Sequence, residues 1–417
     1  MSKTEANCQN DDDPNALRVD IAAKRIDDAI KIIADDEKIP IRNAIGRVLK
    51  DNIVSPINVP PYTNSAMDGY AIRSSDIGTG HSQPLNVVGK ILAGHSFAQN
   101  IQPGEAIRIM TGAPMPEGCD TVIMQEHVTQ IGKQITFQGK YKPMQNVRQA
   151  GEDLQKGNIA VNQGKLLTPA DIGLLASLGI CEVDVLRKIT VAFFSTGDEL
   201  VPLGDQLDNG KIYDSNSYTL YCMLKRIGIN VIDMGIIEDN KKTLGNALQI
   251  ASETADVVIT TGGVSVGEAD YVKEILKSMG VINFWKIAMK PGRPLAFGKI
   301  NQTLFFGLPG NPVSAMVGFY QLVRPALLKM SGVENTNTLR VKARTSSRLN
   351  KSKGRMEFQR GHLYQEKDGW KVKTTGNQGS HMLSSIAQAN CFIILPEESE
   401  IIQPNSIVEV QPFEVFM

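Results

Sequence analysis

Cysteine is scarce and unpaired in this chain. Five occur in 417 residues (Cys8, Cys119, Cys181, Cys222 and Cys391), and no two form a CxxC pair. An odd, scattered set argues against a disulfide framework and suits free thiols in a reducing compartment, so a cytoplasmic location is expected. Histidine is as rare. The five imidazoles are dispersed and no His/Cys pair has ligand spacing, so they are expected to be structural, and a zinc site is not expected. Neither sign of charge predominates: 44 Lys and Arg balance 44 Asp and Glu. A protein that grips a nucleic-acid backbone usually carries a basic excess, so no nucleic-acid partner is expected. No apolar run reaches the roughly 18 residues of a membrane span. The opening MSKTEANCQNDDDPN lacks the apolar stretch of a secretory signal and reads as a disordered lead-in, residues 1–17. Walker A and GxGxxG loops are both missing.

The composition is otherwise that of a soluble globular protein, 42% hydrophobic and 21% charged. Its length implies two to four domains. Residues 18–36 carry Ile21, Ile26, Ala29, Ile30 and Ile33 at helical spacing, and a short second helix is expected near Ile41–Leu49. Recurrent Pro and Gly with short apolar runs predict a β-rich domain over 59–148. Thr168 and Pro169 suit the start of a helix over 168–180. Residues 18–58 with 149–186 would form a helical linking domain. From 187 to 334, apolar runs (KITVAFFST, NVIDMGII, DVVIT, VINFWKIAM) alternate with helical stretches, which predicts a doubly wound α/β domain with parallel strands. Residues 335–417 read as a small all-β domain. The expected fold class is therefore α/β, in a multidomain chain with a β-rich insertion and a C-terminal β domain.

Ligands of open α/β sheets bind beyond the carboxyl ends of the strands. Each strand end here carries Gly, Pro, acid or base: TGDEL with Asp198 and Glu199, then Glu238-Asp239-Asn240, then TGGVSVGEAD, KPGRP and PGNP. Gly262 and Gly263 would let a ligand approach the main chain, and with Ser265 would suit a phosphate. Lys286, Lys290 and Arg293 would add positive charge. Glu268 and Asp270 repel phosphate unless a divalent cation bridges them to it, which points to Mg²⁺ and to phosphate ester or anhydride chemistry. Taken singly, Asp198 or Asp239 could be no more than a helix cap. PPYTNSAMDGYAI, RIMTGAPMPEGCD and NVRQAGEDLQKG stay open on pattern alone, because their residues are also standard turn formers.

Seven motifs in order, NSAMDGYA, RIMTGAP, AGEDL, FFSTGDEL, TTGGVSVGEADY, KPGRP and GLPGNPVSA, closely resemble those of the MoeA family of molybdopterin molybdenumtransferases, relatives of the gephyrin E domain. The resemblance runs from about residue 18 to the end. It implies an elongated four-domain protomer and a homodimer with its active site at the protomer junction. It implies insertion of molybdate into adenylylated molybdopterin, with Mg²⁺-dependent hydrolysis and loss of AMP. It assigns Asp68, Glu199, Asp239, Asp270, Lys286 and Lys290 to catalysis, with Asp198, Glu199, Asp239 and Asp270 as cation ligands. Substrate would meet Thr111, Arg148, Asp153, Gly262, Gly263, Ser265, Arg293, Pro309 and Pro312. Arg148, Arg360 and Ser380 would suit molybdate, an oxyanion that needs donors. Molybdopterin adenylyltransferases share the domain type, but their TGG loop is usually followed by a proline-bearing stretch, where this chain has VSVGEAD; contacts with such an enzyme and with apo-molybdoenzymes are expected. The alternative is a non-catalytic molybdopterin-binding scaffold, which would gain little from gathering Asp68, Asp239 and Asp270.

Overall fold

The computed structural model describes residues 16–77, 83–263 and 271–413. The chain divides into two compact units. One holds 16–37, 46–48 and 186–413; the other holds 38–45 and 49–185. No helix of the described residues is long and apolar enough to cross a membrane.

Helix α1, Val19–Ala29, buries Val19, Ala22 and Ile26. It ends seven residues before the periodicity suggested. Ile30 is already extended (φ −78°, ψ 132°), and Ile33 gives its N–H to the carbonyl of Met330. The β-branched run Ile30, Ile32, Ile33 loses little by leaving the helix, because such side chains are stiff there. Ile30 and Ile33 join the core beneath the α/β sheet, so α1 belongs with that sheet and not with a separate linking domain. Leu17, placed in the disordered lead-in by its sequence, exchanges hydrogen bonds with Lys286 and Ala288. The helix expected near Ile41–Leu49 is a single 3₁₀ turn, Ile41–Asn43, followed by Gly46 in the left-handed region.

In the second unit, six strands between Gly69 and Phe137 form one sheet. Alternate residues face opposite sides, as the two-residue period of a strand requires. Tyr70 and Ile72 fall in one apolar cluster, Ala71 in the other. Helix α2, Pro169–Ser177, starts at Thr168 as its sequence predicts. Thr168 Oγ1 accepts from the N–H of Asp171, whose carboxylate accepts in return from the Thr168 N–H, a reciprocal cap.

The first unit is built on β1 (Thr190–Thr196), β2 (Asn230–Ile237), β3 (Val257–Thr261), β4 (Gly280–Lys286), β5 (Pro294–Ile300) and β6 (Thr303–Leu308), in the order β2-β1-β3-β6-β5-β4. Helices α3 (Ser215–Arg226), α4 (Lys241–Thr254), α5 (Tyr271–Met279) and α6 (Pro312–Gly318) connect or follow the strands. Phe193 faces one core and Phe194 the other, so both faces of β1 are buried. The sheet is not all parallel. β5 runs against both of its neighbours. Its sequence, PLAFGKI, follows KPGR and pairs with β4 on one side and β6 on the other. β4 is thereby pushed to the edge, two strands from β6. Trp285 on it is half-buried against Phe297 and beneath Arg25. The apolar Ile287–Met289 leave the sheet, and Met289–Lys290 pairs with Met356–Glu357 of the C-terminal domain.

That domain is a barrel. Strand 356–366 pairs with 369–374 on one side and 391–395 on the other; 341–345 and 407–412 complete the ring. Closure removes the exposed edges of a small sheet. Cys391 lies inside it, where burial pushes its thiol up to about 12. Burial does the same to Cys119, so both are poor nucleophiles.

Arg187 grips Asp256 through two 2.8 Å bonds at the start of β3, and Asp256 also accepts from the N–H of Thr190. Burial opposes ionisation of this carboxyl, but the Arg187 bonds and charge and the Thr190 bond outweigh it, so it lies below the ordinary carboxylate range. Its contribution to stability is therefore complete above the unfolded aspartate value and is lost as pH falls through the folded one. Asp256→Asn should cost about 1–2 kcal/mol at neutral pH, measured by urea unfolding, and the difference should vanish toward acid.

Candidate active site

A cavity of about 710 Å³ opens at the carboxyl ends of β1, β2, β3 and β6, where the strand-end loops converge. Two glycines make the approach possible. At Gly262 (φ +90°) a Cβ would run into the carbonyl of Thr196, and its N–H bonds the Leu308 carbonyl at 3.1 Å. At Gly197 (φ +153°) a Cβ would meet the Glu199 carboxylate at 2.6 and 2.8 Å, because that side chain folds back over the loop. Pro309 and Pro312 wall the cavity from the far side, with Pro312 opening α6.

Glu199 and Asp239 both line this cavity. Partial burial holds the Asp239 carboxyl above its ordinary range, and the charges of Asp198 and Glu199 push it the same way. Asp239 is not a helix cap. The cap of α4 is Asn240, whose side chain accepts from the Thr243 N–H at 3.0 Å. The carboxylate of Asp239 is thus released from a structural duty that its position suggested. Among the described residues no group of three or more His, Cys, Asp or Glu side chains is arranged to hold a metal. Mg²⁺ does not require one, since it is often bound by one or two carboxylates with water and substrate phosphate. The donor chemistry of crowded carboxylates fits such an ion. Ser265, Glu268 and Asp270, all assigned to the site by sequence, lie outside the described residues.

Lys286, Lys290 and Arg293 are not among the described residues that wall the cavity. Lys286 and Arg293 stand at its edge: Lys286 pairs across the sheet with Pro294, the first residue of β5, which lines the cavity, and Arg293 precedes that proline. Lys290 pairs with Glu357 at 3.1 Å, and Glu357 is buried and also accepts from Gln359. Arg360 is not displayed for an oxyanion either. It is 1% exposed, donating from Nε to Ser385 Oγ (3.1 Å) and from Nη2 to the Gly379 carbonyl (2.9 Å). Burial lowers it to about 10, with Glu357 opposing. Its hydrogen bonds fix the segment that carries Ser380 and His381. The Ser380 carbonyl accepts from the Val313 N–H at the start of α6, and His381 lines the cavity. Of the five histidines, expected to be structural, His381 is exposed at the cavity wall. Its place in NQGSH beside Ser380 was the available signal.

Sequence reasoning also passed over Asp214 and Asn216. Both line the cavity at the start of α3. Asp214 caps that helix, its Oδ1 accepting from the N–H groups of Asn216 and Ser217 at 3.1 Å each.

In the other unit, Asp68 accepts from both the N–H and the hydroxyl of Thr111 at 2.7 Å. The backbone bond first, then the hydroxyl, holds its carboxyl below the ordinary range. Arg148 sits opposite Asn64 in a short antiparallel pairing, next to the turn that carries Asp68. Asp153 is tied to Val59 through its N–H. All four of these side chains are exposed.

Three stretches match known family profiles: 17–179 the "MoeA N-terminal region (domain I and II)", 192–329 the "Probable molybdopterin binding domain", and 342–413 the "MoeA C-terminal region (domain IV)". A molybdopterin molybdenumtransferase of Haemophilus influenzae is 45% identical over 95% of this chain and 98% of its own. Gephyrin of Dictyostelium discoideum is 35% identical over 92% of this chain and 61% of its own. The crystal structure of the molybdopterin biosynthesis moeA protein from Pyrococcus horikoshii aligns with a TM-score of 0.85 at 31% identity, over 95% of this chain and 100% of that one.

Proposed function

The chain belongs to the MoeA family, and from that premise we propose that it is a molybdopterin molybdenumtransferase acting on adenylylated molybdopterin and molybdate. Water would attack the pyrophosphate link, AMP would leave, and molybdenum would pass to the dithiolene sulfurs. The observation that carries this reading is Asp239, raised by burial and by Asp198 and Glu199 in a cleft at the strand ends. Carboxylates crowded beside a pyrophosphate repel it unless a cation lies between them.

Asp239, Asp198 and Glu199, with Asp270, would hold Mg²⁺. When bound, that ion would supply positive charge to the phosphate oxygens. The chain's own groups do the rest. Gly262 and Gly263 let the pyrophosphate come close to the main chain. Pro309 and Pro312 fix the opposite wall as rigid turns. Lys286, Lys290 and Arg293 would meet developing anionic charge at the margin of the site. Arg360 positions Ser380, and Ser380 and Arg148 would offer donors to molybdate. Asp68, Thr111, Arg148 and Asp153 would serve the cleft of a second copy in a homodimer. The free cysteines among the described residues fit a cytoplasmic enzyme.

The test is cofactor formation. Purified protein, adenylylated molybdopterin and Mg²⁺ should activate an apo-molybdoenzyme in proportion to added molybdate. Activation that ignores molybdate would refute the proposal.

A further inference from the structure

The residues lining the cavity carry polar atoms that have no hydrogen-bond partner among the described residues. Asp214 is 3% exposed and Thr196 4%. Asp214 spends Oδ1 on capping α3, and its Oδ2 has no hydrogen-bond partner among the described residues. Thr196 Oγ1 and Asn216 Oδ1 are buried and lack a partner in the same sense. Asn216 is fixed by its own amide, which donates from Nδ2 to the Gly310 carbonyl at 2.8 Å. Its carbonyl oxygen is left as an acceptor. All three residues line the cavity. A buried polar atom without a partner costs free energy, and a native protein rarely leaves three among the residues lining one cavity unless something else satisfies them.

The set has a definite polarity. Asp214 Oδ2 and Asn216 Oδ1 can only accept. Thr196 Oγ1 can donate. Two acceptors and one donor complement an edge that presents two donors and one acceptor. The 2-amino-4-oxopyrimidine edge of a pterin does this, through its exocyclic amine, its ring N–H and its carbonyl. We infer that Asp214, Asn216 and Thr196 form the subsite that recognises the pterin ring of the substrate, with Asp214 Oδ2 taking the ring donors. The inference rests on the pterin substrate proposed above. A ribose diol can also donate and accept, and the binding of AMP separates that reading from the pterin one.

Asp214→Asn tests this with little disturbance to the fold. Asn caps helices as well as Asp does. The substitution can keep the capping oxygen and turn the second oxygen into an NH₂ that faces the ligand's own donors. Binding of molybdopterin, adenylylated molybdopterin and AMP to the full-length protein would be measured by calorimetry. The expected result is at least a tenfold loss of affinity for both pterins with AMP unchanged. Thr196→Val, which removes only the hydroxyl, should weaken both pterins several-fold, and it serves if the Asn variant does not fold. Unchanged pterin binding by both variants, or a loss confined to AMP, would overturn the subsite while leaving the transferase proposal intact. A wild-type protein that binds neither pterin would overturn the substrate assignment itself, and the subsite with it.

Discussion

Asp239→Asn should lower the rate of cofactor formation by about 10²–10³-fold without loosening the fold, the size of effect that follows removal of a preorganised charged or polar group from a reacting centre. The substitution keeps the shape of the side chain and removes its charge. Folding should survive, because α4 is capped by Asn240 and not by Asp239. Removing one of several crowded carboxylates relieves repulsion, so the midpoint of thermal unfolding should stay level or rise. Mg²⁺ should raise the midpoint of the wild-type protein by binding only the folded state, and that shift should shrink or disappear in the variant. Scanning calorimetry with and without Mg²⁺ reads both effects. A variant with full activity and an unchanged Mg²⁺ shift would remove Asp239 from the site.

Gly262→Ala should be strongly damaging to stability and activity alike. The added methyl must enter the space of the Thr196 carbonyl, which is main chain at the end of β1 and cannot swing aside. The residue also sits at φ +90°, where an L side chain is strained by about 1–3 kcal/mol before any clash is counted. Relief would require β3 to draw away from β1 at the mouth of the cavity, so activity should fall with stability. The expected loss is about 3 kcal/mol in urea unfolding, with turnover near background. Gly310→Ala is the matched control for stability. Its Cβ would find only the Gly262 Cα at 3.9 Å, an ordinary contact, and it should cost no more than about 0.5 kcal/mol.

The parts of the fold that could be read from the sequence were those set by local pattern. KITVAFFST and DVVIT are apolar without alternation because both faces of β1 and β3 are covered. Thr168, Pro169 and Asp171 announce α2 because a cap is a local event. What could not be read depends on partners distant in sequence. β5 opens on a proline after KPGR, and its place in the sheet is set by antiparallel pairing with β4 and β6. That one strand also decides where Lys286 stands, paired with Pro294 at the edge of the cavity. Arg360 is buried and bonded to Ser385 and Gly379, which no local pattern around it shows. Asp214 could be recognised as a cap. That its second oxygen has no partner is a fact of the folded cavity, and no pattern in DSNS shows it.

The central claim is that the cleft at the strand ends cleaves the pyrophosphate link and does not merely hold it. The most direct measurement is AMP release in a single turnover, with enzyme in excess over adenylylated molybdopterin and with Mg²⁺ and molybdate each added or withheld. The account predicts one AMP for each substrate when both are present, and little when Mg²⁺ is withheld. Tight binding of the substrate with no AMP released under any of these conditions would contradict it, and would mark the chain as a carrier of the pterin.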